Sequence, residues 1–139
     1  MRLVLDTNIV VAGVLWHGVP RRLLDLAIDD TVALYSSQAL LDELLHTLCY
    51  PKFSKRIASY ETSAQALTAH YAALVTLVTP ASIPATIMHD PDDDAVLACA
   101  LAAQADMIVS GDAHLLNLKQ FQRMPIVTAM QALGSIVMP

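Results

Sequence analysis

Four short runs of this chain, Arg2–Leu5, Val32–Tyr35, Met107–Ser110 and Ile126–Thr128, are apolar without a polar residue at every second position. A strand with one face in water alternates; runs like these belong to strands covered on both sides. Helical stretches separate them. Ile9–Leu15 reads as a short helix, and Trp16–Pro20 as a loop whose Pro20 suits the first position of a helix over Arg21–Asp29. Ser36 or Ser37 is placed to cap a helix through Tyr50, along which Leu40, Leu41, Leu44, Leu45 and Leu48 recur at helical spacing. Pro51 opens another short helical piece, Tyr60–Leu74 is Ala-rich and helical, and Val75–Thr79 is apolar and β-branched. Asp90-Pro91-Asp92-Asp93-Asp94 opens a helix to about Ala103, with proline and acids where the helix dipole favours them. A last helix ends near Ile136. Strands alternating with helices predict the α/β class: a three-layer α/β/α sandwich around a central, mainly parallel sheet of four to five strands. A length of 139 residues fits one domain over residues 1–139.

The hydrophobic share of 55% exceeds the usual value of about 45–50%, as a sheet covered on both faces requires. No apolar run approaches the ~20 residues of a membrane span, and Asp6 interrupts the first apolar run before it could serve as a leader. Cys49 and Cys99 are isolated thiols without CxxC spacing, so core packing and a cytoplasmic setting are expected. The net charge of −5 argues against a broad basic face for non-specific nucleic-acid binding.

Ligands of open parallel sheets bind beyond the carboxyl ends of the strands. Asp6 closes the first strand, and Asp112 sits just past the Met107–Ser110 strand. Asp93 starts the helix that runs back to that strand, and Glu43 lies one to two turns into the Ser37–Tyr50 helix. All four acids therefore reach one rim. Crowded carboxylates repel, and a divalent cation relieves the repulsion. Oxygen ligands suit Mg²⁺ or Mn²⁺, and no His or Cys spacing points to zinc. Each acid also has a plain structural reading. Asp6 can cap a helix, Asp112 can serve the turn after Gly111, and Asp92–Asp94 can be a solvated first turn. Glu43 can be a surface acid, with Asp42 equally able to be the inward one. Only their joint placement favours a metal site.

"LVLDTNIVVAG", "LLDELLHTLCYPKF" and "DPDDDAVLACALAAQADMIVSGDAHLL" occur in that order over nearly the whole chain. Together they resemble the PIN-domain family, and within it the VapC-like toxins of toxin–antitoxin pairs. The resemblance implies a metal-dependent endoribonuclease that hydrolyses RNA phosphodiesters with a metal-activated water, holds one or two Mg²⁺ or Mn²⁺ ions, and pairs with an antitoxin protein. The family's acids fall on Asp6, Glu43, Asp93 and Asp112, and its supporting polar positions on Asn8 and Ser110. Within "DPDDDAVL" the pattern favours Asp93, four residues before Leu97; a one-residue slip would exchange it for Asp94, while Asp90 and Asp92 cap and solvate the helix. Setting the four ligands aside leaves nine acids against eight bases, a nearly neutral remainder. Lys52, Lys55 and Arg56, near Phe53, form a basic cluster able to touch an RNA backbone, with Arg21 and Arg22 a second; an ordinary solvated face explains either equally well. His46, His89 and His114 lie near the acids but are expected outside ligation, because sites of this family use oxygen.

Two other readings compete. A phosphatase of the haloacid dehalogenase kind places Asp-x-Asp at the end of strand one, but here Asn8 occupies the second position and no suitable downstream lysine follows a strand. A protein-binding module with little or no catalysis is compatible with the apolar excess, Trp16 and the Ala/Leu-rich helices, which equally suit a homodimer or higher homo-oligomer.

Overall fold

The computed structural model describes residues 1–83 and 91–137, which leaves His89 and Asp90 outside the described residues. Strand β1 (Arg2–Leu5) leads to helices α1 (Thr7–Leu15) and α2 (Val19–Ile28), then β2 (Ala33–Ser36) and α3 (Gln38–Leu48). A tight turn at Pro51–Phe53 precedes α4 (Ser54–Ser59), α5 (Ala64–Leu74) and β3 (Thr76–Leu77). The chain continues through α6 (Pro91–Ala103), β4 (Met107–Val109), α7 (Ala113–Leu118), β5 (Gln120–Phe121), β6 (Met124–Val127) and α8 (Ala129–Val137).

The strands form one sheet in the order β3-β2-β1-β4-β6-β5, parallel except for β5 at one edge. Successive residues of β1 and β4 face opposite ways and are buried on both sides. Leu3, Leu5, Met107 and Val109 join a core with α1, α2 and α8, whereas Val4 and Ile108 join a second core under α6 with Leu115 of α7. Full burial on both sides explains the absence of polar alternation, and the result is the expected three-layer sandwich. At Gly13 an added Cβ would lie 2.8 Å from Leu24 Cδ1, so a side chain there would force the buried Leu24 to shift. Among the described residues no helix is long and apolar enough to cross a membrane.

Several elements differ from expectation: α2 starts at Val19 rather than Arg21, and α7 lies where no helix is expected. The sheet has six strands rather than four to five, because β5 and β6 form a hairpin through Gln122 and Arg123. Both turn residues have positive φ, 49° and 67°, the backbone that Asn-Gly usually marks; neither residue announces it. The helix expected from Tyr60 starts at Ala64 instead. Glu61 at φ 54° ends the previous helical run, and the Ser63 side chain accepts from the Ala66 N–H at 3.0 Å. Helix α1 begins at Thr7 rather than Ile9, because Asp6 caps it.

The two thiols are placed differently. Cys49 is exposed, whereas Cys99 is fully buried, and burial pushes its thiol up to about 11 against a smaller opposing hydrogen bond from Ser37. Only the thiolate reacts readily. Titration with a disulfide reagent at neutral pH is therefore expected to modify one thiol in the native protein and two in denaturant; fast modification of both native thiols would contradict this packing.

Candidate metal centre

Strands β2 and β4 flank β1 on opposite sides, so the chain order reverses between β1 and β4. A crevice opens at such a switch point, beyond the carboxyl ends of the strands. Leu5 pairs with Val109, and the Asp6 N–H donates to the Val109 carbonyl at 2.9 Å. The next residues on the two strands, Asp6 and Ser110, are thus brought side by side by sheet register alone.

Asp6 is buried and does two things at once. Its Oδ1 accepts from the Thr7 N–H at 2.8 Å, the capping role open to any Asp before a helix. Its Oδ2 accepts from the Ser110 hydroxyl at 2.7 Å. Ser110 is fully buried, and its Oγ accepts from the Asp112 N–H at 2.9 Å. One hydroxyl therefore fixes the Asp6 carboxylate and the backbone that presents Asp112. Asp112 caps α7, its Oδ1 accepting from the N–H groups of His114 at 2.8 Å and Leu115 at 3.2 Å. Capping uses one carboxylate oxygen of its two. A carboxylate has about four lone-pair positions, so both Asp6 and Asp112 retain capacity for a cation.

Asp93 is buried in the first turn of α6, while Asp94 is only partly buried and Asp92 is exposed. Ligand atoms of Asp93, Asp112 and His114 all lie within 4.8 Å of one another, close enough for one ion to bind all three. The His114 Nδ1 stands 3.9 Å from Asp112 Oδ1. Glu43 is partly buried on α3; its neighbour Asp42 is exposed and accepts from Gln38 Nε2 at 2.9 Å. Asp6 and Glu43 are not members of the 4.8 Å group, and Asp6 is linked to it through Ser110. Asn8 is exposed in the first turn of α1.

The sequence places His114 outside ligation, yet its ring nitrogen falls inside the group. The available signal was its spacing, two residues after Asp112 at the start of a short helix. The donor chemistry fits a divalent ion: buried or half-buried carboxylates suit Mg²⁺ or Mn²⁺, and an added imidazole is better tolerated by the transition ion.

The basic candidates lie elsewhere. Arg56 Nε donates to the Leu15 carbonyl at 2.8 Å, at the end of α1 opposite Asp6. Arg21 sits 3.8 Å from Asp25 on its own helix and donates to the Gly13 carbonyl at 3.4 Å.

A family model described as PIN domain matches residues 2–114, a span that includes all four acids and His114. The chain is 25% identical over 120 residues to an uncharacterized protein of Methanocaldococcus jannaschii, MJ1680, covering 86% of this chain and 76% of that one. Its fold is similar to a chain in the crystal structure of VapBC2 from Rickettsia felis bound to a DNA fragment from their promoter. That likeness has a TM-score of 0.59 at 16% identity and covers 91% of this chain and 97% of the other.

Proposed function

This chain belongs to the PIN-domain family, and from that membership we propose that it is an endoribonuclease dependent on Mg²⁺ or Mn²⁺. The observation that carries the reading is the convergence of Asp93, Asp112 and His114 within 4.8 Å, joined to Asp6 by a buried hydroxyl. Asp93 and Asp112 would hold the ion, with Asp6 and Glu43 completing one or two sites and Asp94 standing beside Asp93. When bound, the ion supplies positive charge against the scissile phosphate and lowers the pKa of water. The protein supplies the rest. Ser110 holds the Asp6 carboxylate in one orientation, and Asp112 is fixed by its own capping bonds. Asn8, exposed next to Asp6 on the first turn of α1, is available to orient substrate or solvent.

The same proposal includes an antitoxin protein as partner and a homo-oligomeric, cytoplasmic state. It is supported by the resemblance of the three motifs to VapC-like toxins and by the fold shared with VapBC2.

Purified protein should cut RNA when Mn²⁺ is present, stop on addition of a chelator, and resume when Mn²⁺ is restored. Ser110→Ala is expected to weaken Mn²⁺ binding and kcat/KM by about 10–100-fold, the usual effect of losing a group that orients a ligand. The parent and the Ser110→Ala variant cutting equally well, in chelator as in Mn²⁺, would remove the reading.

A further inference from the structure

One surface patch gathers aromatic rings and cations that the metal centre does not use. Trp16 and Phe53 meet edge to face with centroids 6.0 Å apart. The Arg56 guanidinium lies 5.5 Å from the Trp16 ring and 5.0 Å from the Tyr60 ring, and Lys52 Nζ lies 5.1 Å from the Phe53 ring. Three of the chain's seven aromatic residues and two of its eight cations are in mutual contact here, with Lys55 exposed on the same helix as Arg56. No carboxylate occurs between Glu43 and Glu61, in a chain whose net charge is −5. Packing alone would have buried the rings, but Trp16 remains 42% exposed and Tyr60 44% exposed. The patch is also held in place. Arg56 Nε at 2.8 Å and the Tyr60 hydroxyl at 2.9 Å both donate to the Leu15 carbonyl, one of the carbonyls left open at the end of α1.

Half-exposed rings held beside cations, with lysines at the edge of the patch, match an unpaired polynucleotide: bases stack on rings and phosphates meet the lysines. We propose that this patch binds a single-stranded stretch of the RNA substrate, with a base on Trp16 and phosphates at Lys52 and Lys55, an inference that rests on the nuclease reading. Helix α1 has nine residues, about 13 Å of length, with Asp6 at one end and Trp16 at the other. The contact is thus remote from the scissile phosphate and acts on binding: KM rises on its loss while kcat holds.

Trp16 is the single tryptophan, so its fluorescence reports the contact directly. The full chain would be titrated with a labelled oligouridine in chelator, reading label anisotropy and tryptophan emission together. Saturable quenching is expected to follow the anisotropy. Trp16→Ala should weaken binding about 5- to 100-fold, with Trp16→Phe restoring most of it. Lys52→Ala with Lys55→Ala should reduce the slope of log K against log salt by about 0.7 per lysine. Oligouridine bound without quenching, and with unchanged affinity in the Trp16 and lysine variants, overturns the proposal. So does an unchanged RNA affinity in Trp16→Ala accompanied by a fall in sedimented mass, which assigns the patch to a second copy of the chain. Should Trp16→Ala lose its helical circular dichroism, Trp16→Phe and the lysine pair decide. Failure of the nuclease reading shows separately, as quenching by oligouridine in a parent protein that never cuts RNA in Mn²⁺.

Discussion

An Asp6→Asn variant is expected to fold as the parent does and to lose about 10²–10³-fold in kcat for RNA cleavage, the several kcal/mol a metal ligand contributes. The two roles of Asp6 make the substitution informative. Asparagine caps a helix as well as aspartate does, so the bond from the Thr7 N–H survives. On the other side an amide would donate to the Ser110 Oγ, which accepts from Asp112 and has a second lone pair to offer. The buried Ser110 proton then loses its acceptor in either variant, so Asp6→Asn should cost about 1–3 kcal/mol and Asp6→Ala about 1 kcal/mol more through the lost cap. If Asp6 were only a cap, the ranking would be reversed: Asp6→Asn would cut RNA normally and Asp6→Ala would suffer only through unfolding. Measured kcat and Tm for both variants separate the two accounts.

Leu97→Ala should do the opposite. Leu97 is fully buried one turn after Asp93, on the face of α6 that packs over Val4 and Ile108. Truncating such a side chain costs about 2–5 kcal/mol, because transfer free energy is lost and a cavity remains. At about 2–4 °C per kcal/mol for a chain of this size, Tm should fall by roughly 4–20 °C. Well below the new Tm, Mn²⁺ should still bind, since no donor has been removed. A large loss of Mn²⁺ affinity without a fall in Tm would contradict this separation of core from site.

The contrast shows what kind of information the sequence held. Buried strands are legible because burial on both faces removes alternation, as at Leu3, Val4 and Leu5. Helix starts are legible where a side chain caps them, as Ser37 does for α3 by accepting from the Leu40 N–H. Those two signals fix the sheet edge, and the sheet edge places Asp6, Asp112 and Asp93. What escaped was set by backbone conformation or tertiary contact. Lys119, Gln122 and Arg123 adopt positive φ without glycine or asparagine, so residue type marks neither the end of α7 nor the β5–β6 turn. The run of three aspartates does not by itself say which one is buried, but the spacing of Asp93 four residues before the fully buried Leu97 favours Asp93, and Asp93 is the buried one. Arg56 reads as a surface cation until the fold brings the end of α1 beneath it.

The proposed activity requires the acids of the rim to share an ion. A crystal soaked in Mn²⁺ and measured at the manganese absorption edge tests this most directly. The predicted result is an anomalous peak within about 2–2.5 Å of carboxylate oxygens of both Asp93 and Asp112. A well-soaked crystal with no peak there, or with peaks only at exposed acids such as Asp29 and Asp30, would contradict it.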